Sequence, residues 1–276
     1  MPHPSIRPSG CPIEIVAHRG ASIEAPENTL ASVELAWQIG ADAVEIDVQL
    51  SRDGHLAVIH DATLERTAGI DSKVRNLDMS ELCTIDVGSW KGDEWRDETI
   101  AELPQILATI PTGRRLFVEL KGGDETATHS AIVSALQRDL ASQNCSPTSV
   151  VLISFYPALL RTVKESLPDF EAFLVVQQTP DTPKADRLSD IALWKPSIDE
   201  IIDVALSSGF DGVDLQNTAA LTRRSIAAIH QANLASCVWT VNSADDARRL
   251  AESGMNSLTT DDPRTMIEAL GISDSA

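Results

Sequence analysis

Aromatic side chains are scarce: the 276 residues include five Phe, five Trp and one Tyr. That scarcity, with no amphipathic basic helix, argues against a surface built to dock on lipid. Positive charge is also short, 22 Lys and Arg against 41 Asp and Glu, for a net charge of -19. Such an excess of negative charge argues against nucleic acid and anionic membrane as partners. Acidic residues are spread along the chain rather than massed in a tail, as on a solvated surface. No hydrophobic run is long enough to span a bilayer, so no stable membrane association is expected. The first dozen residues are rich in Pro and Ser and lack a charged start followed by an apolar run, so no signal peptide is expected. Cys11, Cys83, Cys145 and Cys237 are scattered and form no CxxC pair; they read as reduced thiols of a cytoplasmic protein. No GxGxxG follows the first strand-like run, which counts against a dinucleotide-binding sheet. No 20–50-residue repeat is visible.

What is present is charge placed where core strands should carry none. Ile15-Val16-Ala17-His18-Arg19-Gly20 and Ala43-Val44-Glu45-Ile46-Asp47-Val48-Gln49-Leu50 both read as apolar strands. On a strand, Glu45 and Asp47 point to one face and Val44, Ile46 and Val48 to the other. Two adjacent carboxylates repel, and a divalent cation is the usual remedy. Leu116-Phe117-Val118-Glu119-Leu120-Lys121 repeats the pattern, with Glu119 and Lys121 on one face.

Strand-like runs start near Ile13, Ala43, Leu116, Ser149, Ala172, Gly212, Ala235 and Asn256. Helical patterns lie between most of them: 29–39, 126–142, 158–167, 198–207, 221–232 and 244–253, with Pro263 opening a last helix. Eight strands alternating with helices over this length predict a (β/α)8 TIM barrel, read as one domain over 1–276. Residues about 62–103 break the rhythm and are expected to form a small insertion after the second strand, capping the active face. Its Trp90 and Trp95 are expected to be packing anchors. His18, Glu45, Asp47, Glu119, Ser154, Trp239 and Asp261 all fall in or just after the C-terminal part of a strand, the end that carries the active site in such barrels.

Glu45, Asp47 and Glu119 form a hard oxygen set suited to Mg²⁺ or Ca²⁺, with Mn²⁺ a further option, rather than Zn²⁺. Glu119 could instead pair with Lys121. Arg19 and Lys121 supply the local positive charge a phosphate needs; for Arg19 the alternative is an ion pair with Glu27. Asn28 either donates to the substrate or caps the helix that begins near Thr29. Trp239 either stacks on the substrate or fills the barrel mouth, and Ser154 is a weaker candidate. His3, His55, His129 and His230 lack supporting partners and read as surface or helix residues.

Several motifs in order carry a family resemblance. His18-Arg19-Gly20, Pro26-Glu27-Asn28-Thr29, Glu45-Ile46-Asp47-Val48 and His60-Asp61 open the series. Leu64-Glu65-Arg66-Thr67, Val118-Glu119-Leu120-Lys121, Ser154-Phe155, Trp239-Thr240-Val241-Asn242 and Thr260-Asp261-Asp262-Pro263 complete it. Together they resemble the glycerophosphodiester phosphodiesterases over essentially the whole chain. The resemblance implies a barrel with an insertion after its second strand, and hydrolysis of small-molecule glycerophosphodiesters to sn-glycerol 3-phosphate and an alcohol. It implies acid/base roles for His18 and His60 and one divalent cation on Glu45, Asp47 and Glu119. The implied route is attack by the neighbouring glycerol hydroxyl, a cyclic phosphate, then hydrolysis. The chain departs from the family pattern at Glu65, at Ala68-Gly69-Ile70-Asp71 and at Gly254-Met255-Asn256-Ser257. These changes leave the catalytic set intact and bear on the cap and the leaving alcohol. Two other readings are a lysophospholipase D-like lipid enzyme and a non-catalytic barrel that binds a phosphorylated ligand. Oligomeric state leaves no mark in the sequence.

Overall fold

The structure, a computed structural model, describes residues 13–122, 126–177, 196–219 and 221–272. Among the described residues there are nine strands: β1 (Glu14–His18), β2 (Ala43–Leu50), β3 (Leu56–Val58), β4 (Arg115–Leu120), β5 (Val150–Ser154), β6 (Glu171–Val176), β7 (Gly212–Gln216), β8 (Ala235–Trp239) and β9 (Ser257–Thr260). All but β3 run parallel in the order β1-β9-β8-β7-β6-β5-β4-β2, and β1 pairs with β2 to close the ring. The main crossover helices are α1 (Leu30–Ile39), α5 (Thr126–Ser142), α6 (Pro157–Ser166), α7 (Ile198–Ser208), α8 (Arg223–Gln231), α9 (Ala244–Glu252) and α10 (Pro263–Ala269). The (β/α)8 barrel is therefore present, and its strands begin within about one residue of the expected starts. Short helices α2 (Glu65–Ala68), α3 (Met79–Leu82) and α4 (Leu103–Leu107) lie between β3 and β4. Cys83, Cys145 and Cys237 are unpaired; Cys11 and His3 lie outside the described residues. No helix among the described residues is long and apolar enough to cross a membrane.

The strand alternation sorts side chains into two shells. Val44, Ile46 and Val48 of β2 and Leu116, Val118 and Leu120 of β4 pack outward against helices. Val16, Ala43, Phe117, Phe173 and Cys237 fill the barrel interior. Glu45, Asp47 and Glu119 continue the inward faces of β2 and β4 toward their C-terminal ends. Parallel register sets their neighbours: His18 lies beside Glu45, and Asp47 beside Glu119.

One element was not foreseen. After β2 the chain turns through Arg52-Asp53-Gly54 and returns as β3, antiparallel to β2 with Val48 opposite Val58. Asp-Gly between apolar runs is a hairpin signal. The return strand brings Ile59 N onto Asp47 O at 3.0 Å and His60 O onto the Gln49 amide at 2.9 Å. This hairpin carries the second histidine back to the mouth. The chain beyond builds a small core of its own from Leu64, Val74, Met79, Leu82 and Ile100. Trp90 is not a packing anchor: it is 45% exposed, its indole donating to Val87 O at 2.7 Å.

The turn after β1 is fixed against α1. Gly20 has φ +80, and a Cβ there would lie 2.4 Å from Ser32 Oγ, which donates to Arg19 O at 2.9 Å. Gly54 has a similar φ, +81, with nothing near. In denaturant unfolding, Gly20→Ala should therefore cost about 3 kcal/mol, from conformation and overlap together. Gly54→Ala should cost about 1 kcal/mol, from conformation alone. Equal costs would contradict the packing role of Gly20.

Candidate active site

Three carboxylates from two neighbouring strands converge at the mouth. Glu45, Asp47 and Glu119 each bring an oxygen into one cluster within 4.8 Å, and all three are buried. Asp47 takes most of the compensation. Arg19 Nε lies 3.1 Å from its Oδ2, Lys121 Nζ lies 2.8 Å from its Oδ1, and the Asn28 amide donates to Oδ2 at 2.8 Å. Burial works against the Asp47 anion, but Lys121 and Arg19 hold its carboxyl well below the usual range. Glu119 has Lys121 Nζ at 2.5 Å, the ion pair named above as the alternative to a metal ligand. Glu45 fares worst: the Arg19 backbone N–H donates to Oε2 at 3.1 Å, while buried Oε1 has no hydrogen-bond partner. Burial and the charges of Asp47 and Glu119 push Glu45 well above its ordinary value. Three buried carboxylates face two cations, and among the described residues Glu45 Oε1 is left with neither a hydrogen bond nor an ion pair. Such an all-oxygen set fits Mg²⁺ or Ca²⁺.

Both histidines are oriented through Nδ1. His18 Nδ1 lies 2.6 Å from Asp261 Oδ1, and Asp261 Oδ2 accepts from Asn242 at 2.6 Å. Burial opposes the Asp261 anion, yet the His18 contact draws its pKa down to about 2. A carboxylate on Nδ1 assigns the proton there and leaves Nε2 to act at the site. His18 Nε2 lies 3.9 Å from Glu45 Oε2. His60 repeats the arrangement with Asp61, Nδ1 to Oδ1 at 2.7 Å. Asp61 in turn accepts from Arg66 Nε at 2.6 Å, and Arg66 Nη1 and Nη2 meet Glu27 at 2.7 and 2.8 Å. Glu27 also holds Arg19 Nη1 at 2.9 Å, so one chain of charges runs from His60 to Asp47. Burial lowers the His60 pKa; Asp47 and Asp61 oppose that, and Lys121 and Arg19 add to it.

Asn28, expected as substrate donor or helix cap, has both ends of its amide on Asp47: Oδ1 accepts the Asp47 backbone N–H at 3.0 Å. The α1 cap is Thr29, whose hydroxyl accepts from Ser32 N. Trp239 stands edge-to-face on Phe155, centroids 5.5 Å apart, and its indole reaches Asp214 O at 3.3 Å. Ser154 is spent structurally, donating to Leu120 O at 2.9 Å. His55, expected to lack a partner, contacts Glu102, and helix residue His230 lies 2.9 Å from Ser236 Oγ. His129, on α5, is buried.

Asp61 and Arg66 were not singled out for a role, although both sit inside the quoted motifs, and Glu27 was named only as an alternative partner of Arg19. Asp214 carried no signal at all. It lies in register with Cys237, whose side chain fills the interior, and is 3% exposed with Oδ1 unpartnered. Burial, with the charge of Glu119, pushes its pKa up to about 8 from an ordinary 3.8. Between those values the folded chain holds a proton that the unfolded chain has released, so this group makes stability fall as pH rises. Asp214→Asn should match wild type near pH 4 and exceed it increasingly toward pH 8, by up to roughly 4 kcal/mol at pH 7. A stability difference independent of pH, by chemical denaturation, would contradict this.

The profile of the glycerophosphoryl diester phosphodiesterase family matches residues 18–265. A glycerophosphodiester phosphodiesterase of Caldanaerobacter subterraneus subsp. tengcongensis is 30% identical over 256 residues, 92% of this chain and 96% of that one. One from Bacillus subtilis is 27% identical, over 90% of this chain and 83% of its own. A mouse lysophospholipase D is 46% identical, but over only 71 residues, 26% of this chain and 22% of its own. Among solved structures, an Oleispira antarctica phosphodiesterase in complex with the product sn-glycerol-3-phosphate superposes with TM-score 0.78. It is 27% identical and is matched over 94% of this chain and 96% of its own. The fold, the carboxylate cluster and these matches place the chain in the glycerophosphoryl diester phosphodiesterase family.

Proposed function

We propose that this chain hydrolyses glycerophosphodiesters to sn-glycerol 3-phosphate and an alcohol, with His18 and His60 as its proton-transfer groups. The observation that carries the reading is the arrangement at the mouth: two Nδ1-anchored histidines beside three buried carboxylates, with Arg19 and Lys121 between them. A product-bound relative with the same fold adds support.

A phosphodiester resists attack because its oxygens are negative and its leaving alkoxide is poor. Glu45, Asp47 and Glu119 would hold one Mg²⁺ or Ca²⁺ (or Mn²⁺), which when bound neutralises phosphate oxygens and lowers the pKa of a nearby hydroxyl. Arg19 and Lys121 add fixed positive charge for the phosphate. One histidine Nε2 takes the proton of the glycerol hydroxyl beside the phosphate as it attacks phosphorus. The other gives a proton to the departing oxygen. A cyclic phosphate results, and water opens it by the reverse proton traffic. Asp261 and Asp61 hold the imidazoles in the required tautomer and stabilise each when it is charged. Trp239 forms a wall of the substrate site, and Asn28 serves by holding Asp47 in place. The short match to a lipid enzyme is the one observation favouring a lipid substrate.

The test measures release of the second alcohol from a panel of glycerophosphodiesters with lysophosphatidylcholine included; the soluble diesters leave sn-glycerol 3-phosphate, whereas the lipid would give choline and lysophosphatidate. Release from the soluble diesters and none from the lipid is expected. His18→Ala and His60→Ala should each lower kcat by about 10³-fold without shifting the melting temperature. Near-wild-type rates in either variant would refute the assignment, and release from the lipid alone would favour the lipid enzyme.

A further inference from the structure

Beside the carboxylate cluster the mouth opens into a cavity of about 370 Å³, the size of a small-ligand site. His18 and Asp261 line it from the strand ends, and Arg19, Ser22, Ile23 and Glu27 from the loop after β1. Lys91, from the segment between β3 and β4, completes the lining. Glu45, Asp47, Glu119 and His60 take no part. The cavity therefore adjoins the reacting centre and shares His18 with it.

The charges lining it are unequal in their commitments. Glu27 is paired with Arg19 and Arg66, and Asp261 with His18 and Asn242. Arg19 is shared between Glu27 and Asp47. Lys91 Nζ donates to the neutral backbone carbonyl of Ser22 and, among the described residues, forms no ion pair. Its ammonium also stands 5.6 Å from the centre of the Trp90 ring, within cation–π range. The Trp90 ring, which does not itself line the cavity, is taken up by the protein's own cation. Ile23, 55% exposed, offers an apolar edge for a short carbon chain.

We propose that this cavity receives the leaving alcohol, and that Lys91 makes the enzyme select alcohols bearing an anionic group, carboxylate or phosphate, over quaternary ammonium alcohols. The inference rests on the phosphodiesterase reading above. Attacking and leaving oxygens lie in line on opposite sides of phosphorus. We take His18 as the histidine that protonates the departing oxygen, so that the alcohol leaves into the cavity His18 lines. There Lys91 can exchange a neutral carbonyl for an anion, and a bound choline would instead meet a fixed ammonium.

The test compares kcat/KM for three diesters of sn-glycerol 3-phosphate, whose second alcohols are glycolate, glycerol phosphate and choline. Wild type should favour both anionic alcohols over choline; preference for only one anion would identify carboxylate or phosphate as the group recognised. Lys91→Gln and Lys91→Met should each reduce the anion-to-choline ratio about tenfold, the worth of one charge-assisted hydrogen bond. Lys91→Arg should keep the ratio. A ratio within twofold of wild type in both neutral variants, or a wild type that prefers choline, would overturn the role of Lys91 while leaving the phosphodiesterase reading standing. A wild type that cleaves none of the three diesters, nor any of the wider panel, would overturn both.

Discussion

Electrostatic repulsion among Glu45, Asp47 and Glu119 is the constraint around which the mouth of this barrel is arranged. Three carboxylates are buried with oxygens within 4.8 Å of one another, where desolvation and like charge both oppose ionisation. Arg19 and Lys121 converge on Asp47 and keep it ionised. Glu45 is left with one backbone donor and a bare oxygen, and its pKa rises. Glu119 also rises, with burial outweighing the help of Lys121. Two cations against three anions leave a net negative charge in a site that must receive a phosphate, itself an anion. A divalent cation would resolve both conflicts at once.

Much of the local fold serves to hold that arrangement. The parallel register of β1, β2 and β4 places His18 beside Glu45 and Asp47 beside Glu119. Gly20 lets the turn after β1 lie against α1, so that Arg19 can present its backbone N–H to Glu45 and its side chain to Asp47. The hairpin through β3 returns His60 to the mouth. The insertion then supplies Arg66, which joins Asp61 to Glu27 and so to Arg19. Each link moves a charge toward a partner, as burial requires.

The barrel was legible because its strands are near-continuous apolar runs at βα spacing, and a strand buried on both faces can be little else. The converging carboxylates were legible because a lone charge in such a run stands out, as Glu45, Asp47 and Glu119 do. What escaped is where local signals are weak or partners distant. β3 is three residues long, and the Asp53-Gly54 turn before it was not read as a hairpin. Asn28 has the residue type of a helix cap, but its neighbour Thr29 takes that place and frees it for Asp47, nineteen residues away. Trp90 was expected to be a packing anchor because tryptophan usually packs; its ring is instead exposed, beside Lys91 and hydrogen-bonded to Val87 O. Asp214 lies on a strand with no motif around it, and only closure of the barrel puts it in the interior near the charge of Glu119.

The central claim is that the three carboxylates are held together for a cation. Thermal unfolding of wild type and Glu45→Gln, each stripped of metal and then given Mg²⁺ or Ca²⁺, tests it most directly, since an ion that binds only the folded chain stabilises it. The account predicts that the metal-free variant melts higher than metal-free wild type, because a repulsive charge has gone. It also predicts that added ion raises the wild-type midpoint and leaves the variant unmoved. A wild type indifferent to both ions, or a variant that responds as strongly as wild type, would contradict it.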